Sequence, residues 1–119
     1  MVYSKRMDKR VKLDPPVKAA LNGRKNRHYA DITEISRGGL RILSEEKYSK
    51  GSKFEFEFQL TYKEKTIPVV IKAKIKNEYG AKTDNVYSYG IKFSRVPFIY
   101  FWEKSNIEKF VYFKSAPGR

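Results

Sequence analysis

The chain has 119 residues, 40% of them hydrophobic and 15% aromatic, which is the size of one domain with enough apolar mass for a real core. Its 26 Lys and Arg against 13 Asp and Glu give a net charge of +13, a balance that favours phosphate-bearing partners: nucleic acid, nucleotide or an anionic membrane surface. The absence of cysteine excludes disulfides, thiolate chemistry and Cys-based zinc sites, and no window approaches the ~18 consecutive apolar residues of a membrane span.

In chain order, the N-terminal stretch MVYSKRMDKR is basic but has no apolar run behind it, unlike a secretory signal, so a cytoplasmic location is the simplest expectation. Charge is concentrated there: residues 1–30 hold nine Lys or Arg and two Asp, so +7 of the +13. Residues 1–14 show no periodicity and read as a flexible arm, and the domain proper is expected over 15–119. Asp14-Pro15-Pro16 stops any helix and sets an extended entry. Strands are expected at 17–21, 28–35 and 39–43, the first two joined by the Asn22-Gly23 turn signal. After a loop over 44–52, Phe54, Phe56, Phe58 and Leu60 alternate with Glu55, Glu57, Gln59 and Thr61. A tight charged turn over 62–66 leads to Val69, Ile71, Ala73 and Ile75, alternating with Val70, Lys72, Lys74 and Lys76, so cross-strand Glu–Lys pairs should follow. A loop over 77–85 precedes a last strand over 86–93.

The C-terminal part changes character. Pro97 suits a first helical turn, Ser105-Asn106-Ile107-Glu108 fits a capping box, and Ile107, Phe110 and Val111 share a helical face. This gives one helix, or two pieces meeting near Ser105, within 97–114. Six short strands and a helix make an all-β fold: a six-stranded antiparallel β-barrel with a C-terminal α-helix and a flexible basic N-terminal arm. The segments Phe98–Trp102 and Phe110–Phe113 are apolar all round. They either plug the barrel mouth or offer a face for a homodimer, a protein partner or an adjacent domain.

Enzyme signatures fail. The single histidine, His28, lies in a strand pattern, no HExxH, P-loop or GxGxxG occurs, and no two acids read as general acid and base. No catalytic residue, metal site or cofactor is expected. What remains is phosphate chemistry. Arg6 and Arg10 are four apart, and guanidinium groups grip phosphates bidentately, pair with guanine O6 and N7, or stack on bases. Glu34 and Ser36 would share one strand face, with Gly38 and Gly39 behind them allowing positive φ or close approach of a ligand to the backbone. A plain glycine hairpin explains that stretch equally well.

Taken together, Arg6-Met7-Asp8-Lys9-Arg10 and Glu34-Ile35-Ser36-Arg37-Gly38-Gly39 resemble the PilZ domain family, whose pattern is RxxxR followed by [D/N]xSxxG. The second motif departs at Glu34. Val17 after the prolines, the Tyr89-Gly90-Ile91-Lys92-Phe93 strand and the closing helix are also similar, so the resemblance covers nearly the whole chain. It implies a receptor for cyclic di-GMP in bacterial motility, exopolysaccharide or pilus control, with a serine-glycine segment walling the site and an arginine arm folding over it. Arg6 and Arg10 would then meet phosphates and guanine faces, Ser36 would donate to the ligand, Gly39 would keep the wall flat, and Arg37 and Gly38 would line the turn. Glu34 would take the guanine N1 and N2 donors, one methylene further out than the family's Asp or Asn. Two alternatives stay open: a nucleic-acid-binding β-barrel using Lys72, Lys74 and Lys76, and a PilZ-like protein-binding scaffold without the ligand.

Overall fold

Alternating apolar and polar residues lay down six strands, β1 (Val11–Asn22), β2 (Arg27–Ile35), β3 (Gly39–Ser44), β4 (Lys53–Tyr62), β5 (Lys65–Thr83) and β6 (Val86–Phe93), followed by helix α1 (Phe101–Ser115). The computed structural model describes residues 10–23, 25–83, 85–94 and 101–115, apart from the side chains of 62, 82, 83, 101–105 and 115. The strands close on themselves in the order β1-β2-β3-β6-β5-β4, all neighbours antiparallel. Every second residue turns inward. Leu21, Ile32, Ile42, Phe56, Leu60, Ile71 and Ile75 are fully buried, and the interior is filled by side chains, with no channel role implied.

Helix α1 covers the barrel with the Ile107, Phe110 and Val111 face, all three buried in the same core cluster, and packs on β5 and β1. At ~1.5–3 kcal/mol for each buried apolar side chain, this face is what holds the helix in place. The C-terminal half of the aromatic segment is thus a plug, except for Tyr112, which stays exposed. The helix runs unbroken through Ser105, so the capping box expected there does not start it. Pro97 and residues 98–100 lie outside the described residues.

Two strand boundaries differ from the sequence pattern, each because a bulge hides the alternation. β1 begins at Val11, not 17: Val11 and Lys12 pair with Ile35 and Glu34, and the register then slips before Val17 meets Ile32. The slip accommodates Pro15 and Pro16, which give no N–H to the ladder. Residues 11–14, expected in the arm, therefore belong to the barrel, and residues 1–9 lie outside the described residues. β5 continues to Thr83 in place of the loop expected over 77–85, because register shifts after Ile75, Glu78 and Ala81, with Gly80 at φ 86°, scramble its period. Between β4 and β5, Lys63 and Glu64 form a two-residue turn with φ of 52° and 62°, a mirror-image turn made without the usual Asn-Gly.

The expected Glu–Lys pairing between β4 and β5 is only partly realised. Glu55 faces Lys72, but Glu57 faces Val70 and pairs instead with Arg27 at 3.1 Å. Lys53 stands opposite Lys74, which in turn faces Lys92 on β6, an exposed row of like charges across three strands. Among the described residues no helix is long and apolar enough to cross a membrane.

Candidate functional site

The connection from β2 to β3 is built by Ser36. Its amide donates to the Gly39 carbonyl at 2.9 Å, and its Oγ accepts from the amides of Gly38 and Gly39, each at 3.2 Å. The hydroxyl proton is directed back to the Gly39 carbonyl at 3.4 Å. The serine closes the turn on itself and spares three polar backbone groups from needing outside partners. Gly39 is required for a different reason. A Cβ there would lie 1.9 Å from the Ile91 carbonyl oxygen of β6. The positive-φ glycines are Gly51 and Gly80, so at Gly38 and Gly39 the left-handed alternative does not apply. The amide of Phe93 donates to the Gly38 carbonyl at 3.0 Å, fastening β6 to the same turn. The interruption of the strand pattern is thus a ledge on which two strands meet at backbone distance.

An open cleft of about 440 Å³ lies along this ledge, within the range of small-ligand sites. Arg10, Glu34, Ser36, Gly38 and Gly39 all line it, so residues 24 or more positions apart in sequence converge on one space. They converge because β1 pairs with β2 from Val11, which delivers Arg10 beside Glu34: Arg10 Nη1 lies 3.8 Å from Glu34 Oε1. Arg6 lies outside the described residues. Arg37 is exposed at the tip of the turn and is not among the lining residues, contrary to expectation.

The rest of the lining was not read from the sequence. It includes Arg41, Lys76, Asn77, Tyr79, Gly90 and Lys92. Lys76 marked the end of the expected strand, and Asn77 and Tyr79 fell in what read as a loop. Two signals were there to use: Arg41 is two residues past Gly39 on the same strand, hence on the same face, and Gly90 inside a strand marks a close approach. Tyr79 covers Gly90, accepts a hydrogen bond from Asn77 Nδ2 at 3.2 Å, and carries the Arg41 guanidinium 4.2 Å from its ring centre. The Asn77 hydrogen bond, helped by the Arg41 and Arg10 charges, lowers the Tyr79 phenol from its ordinary pKa. Arg10, Arg41, Lys76 and Lys92 face a single lining carboxylate, Glu34, so the cleft is strongly cationic. Among the described residues no group of three or more His, Cys, Asp or Glu could hold a metal ion. His28 lies edge-on to Tyr48 and Phe54, with ring centres 5.7 and 6.3 Å away, as a packing residue.

A profile of the PilZ domain matches residues 4–113, a span that includes the arginine pair, the Ser36 turn and most of α1. The chain is a member of the PilZ family. Solved PilZ proteins share its fold at low identity. The PilZ domain of YcgR from Escherichia coli, solved with c-di-GMP, superposes with a TM-score of 0.69 at 15% identity, covering 93% of this PilZ chain and 92% of that one. The Bacillus subtilis inhibitor of motility, MotI/DgrA, gives 0.78 at 11% identity over 98% of this chain and 54% of its own. A c-di-GMP complex of MrkH from K. pneumonia gives 0.64 at 19% identity over 91% and 51%. The chain therefore spans about half the length of MotI/DgrA and MrkH. No curated protein sequence matches it.

Proposed function

We propose that this PilZ domain is a receptor for cyclic di-GMP and that the cleft beside the Ser36 turn is where the dinucleotide binds. The observation that carries the reading is the convergence of Arg10, Glu34, Ser36, Gly38 and Gly39 on one cationic cleft, in a fold shared with a domain solved with that ligand. Two phosphates suit the excess of arginine and lysine, and Gly39 lets β3 and β6 meet closely beneath the ledge. Arg6 and Arg10 grip the ligand, and Glu34 accepts from guanine N1–H and N2–H. The Ser36 hydroxyl, engaged within its own turn, acts chiefly by shaping the ledge; its weakly held proton at 3.4 Å can swing to a ligand acceptor.

Binding is coupled to order. Folding a segment onto a ligand costs roughly 2–5 kcal/mol, and charge-assisted bonds return about 1.5–3 kcal/mol each. Arg10 adjoins the paired residue Val11, so its share of that cost is small. The segment before residue 10 is reoriented against the barrel when its arginine closes, and this is the signal passed to a protein partner or adjacent domain. One solved relative is titled an inhibitor of motility and another a c-di-GMP-dependent transcription regulator, and these titles support reading this domain as a ligand-responsive effector. Isothermal titration with cyclic di-GMP is the test. Saturation at a small integer stoichiometry is expected, and absence of binding at micromolar ligand refutes the reading.

One observation favours a second reading. The exposed row Lys53–Lys74–Lys92 sets like charges directly opposite one another, an arrangement that gains from a polyanion such as single-stranded nucleic acid. Oligonucleotide binding that falls steeply between two salt concentrations, with no cyclic di-GMP binding, would establish it instead.

A further inference from the structure

Glu34, Arg41, Gly90 and Asn77 form one lateral row across β2, β3, β6 and β5, in register from strand to strand. All four line the cleft. Gly90 leaves a gap in the row, and Tyr79 fills it from above: a Cβ at Gly90 would lie 3.0 Å from the Tyr79 hydroxyl and 3.1 Å from its Cε2. The tyrosine, anchored by Asn77, holds the Arg41 guanidinium 4.2 Å from the ring centre. Arg41 is half-buried yet makes no ion pair among the described residues. Its register neighbour Glu34 is turned to Arg10 instead. A guanidinium held against a ring, in a cleft whose lining carboxylate Glu34 is engaged by Arg10, is a donor fork set out for an acceptor pair.

We propose that Arg41, held by Tyr79, is the residue that selects guanine over adenine in the cleft; this rests on the cyclic di-GMP reading above. Guanine presents two acceptors, O6 and N7, to an arginine fork, whereas adenine replaces O6 with an N6–H₂ donor that repels it. Glu34, beside Arg41 in the row, strengthens the choice: it takes the guanine N1–H and N2–H donors and opposes the adenine N1 acceptor. A carboxylate next to a guanidinium is therefore complementary to one purine and mismatched to the other. Tyr79 keeps the fork from folding onto Glu34 or out into solvent, so it acts as a positioning residue. The PilZ motif itself includes neither Arg41 nor Tyr79.

The test is calorimetric titration of the parent, Arg41→Gln, Arg41→Lys and Tyr79→Leu, each with cyclic di-GMP and cyclic di-AMP, with folding checked by circular dichroism. The parent should prefer the guanine ligand. In Arg41→Gln, cyclic di-GMP affinity should fall by about 5- to 140-fold, the ~1–3 kcal/mol of a bidentate pair, and the preference should narrow, because glutamine pairs with adenine N6 and N7. Arg41→Lys keeps the charge and loses the fork, so it should bind both ligands with reduced discrimination even if the glutamine variant is unstable. Tyr79→Leu should lose several-fold in affinity and part of the preference. Unchanged affinity ratios in both Arg41 variants would overturn the assignment while leaving the cyclic di-GMP site intact. A parent that binds neither dinucleotide overturns both.

Discussion

Replacing Gly39 by alanine isolates the close approach of β3 and β6 from every other property of the site. The added Cβ would sit 1.9 Å from the Ile91 carbonyl oxygen and 3.0 Å from its carbon, both backbone atoms that no rotamer change can move. To restore an ordinary contact of 3.4 Å, β6 must retreat by about 1.5 Å. That displacement strains the flanking bond from Phe93 N to Gly38 O at 3.0 Å and the adjoining β3–β6 ladder. Overpacking costs about 1–3 kcal/mol and each lost hydrogen bond about 1, so a total near 3 kcal/mol or more is expected. At about 4 °C per kcal/mol for a domain of this length, Tm should fall by roughly 10 °C or more. Gly51→Ala is the control: it has φ +92° with nothing within 4 Å, so it carries backbone strain of only about 1 kcal/mol. The readout is thermal unfolding followed by circular dichroism. If Gly39→Ala melts within a few degrees of the parent, or no lower than Gly51→Ala, the account of the ledge is wrong.

Arg6→Ala or Arg10→Ala should each weaken cyclic di-GMP binding by about one to two decades, at ~1.4 kcal/mol per tenfold, with Tm unchanged; equal affinity in both variants by calorimetry removes the arginines from the site. Glu34→Asp, which restores the family's shorter side chain and shortens the reach to Arg10, should bind at least as tightly as the parent in the same titration. Burial raises the phenols of Tyr48 and Tyr89 above the ordinary value of about 10, so the stability they contribute is full below pH 10 and lost as pH rises through their folded values. The lowered Tyr79 phenol acts in the opposite sense, adding stability above pH 10. The Tyr48 and Tyr89 contributions are lost at alkaline pH, where that of Tyr79 is gained. Tyr89→Phe, which strips a partner from the Tyr48 amide and the Glu46 carbonyl, should cost about 1–3 kcal/mol at pH 7 and make the loss above pH 10 shallower in urea titrations. Lys63→Asn with Glu64→Gly supplies residues suited to positive φ in the β4–β5 turn and should raise Tm by a few degrees; no gain in a melting curve would argue against that turn type.

The fold was legible wherever the pattern was regular. Phe54, Phe56, Phe58 and Leu60 give β4 outright, and Val69, Ile71, Ala73 and Ile75 give the first half of β5, because a half-buried strand must alternate. It was illegible where bulges break the period: the early start of β1 around its prolines, and the second half of β5 beyond Lys76. The same irregularity concealed part of the site. Glu34, Ser36 and Gly39 are contiguous and stand out as a motif, whereas Asn77 and Tyr79 reach the cleft only because a bulged strand carries them there. Arg37 shares the motif in sequence but is not among the lining residues. Gly39 was rightly singled out as an approach point, though the backbone that approaches it is β6 of its own barrel.

β1 joins two places that are easily thought of separately. At one end Arg10 reaches the cleft and Val11 pairs with Ile35; at the other, Ala20, Leu21 and Asn22 make the pairs with β4 that close the ring. One strand thus carries Arg10 just before its first residue and the seam with β4 at its last few. Slower amide exchange at Ala20–Asn22 on addition of cyclic di-GMP is the expected sign that engagement of Arg10 is felt along this one ribbon of backbone.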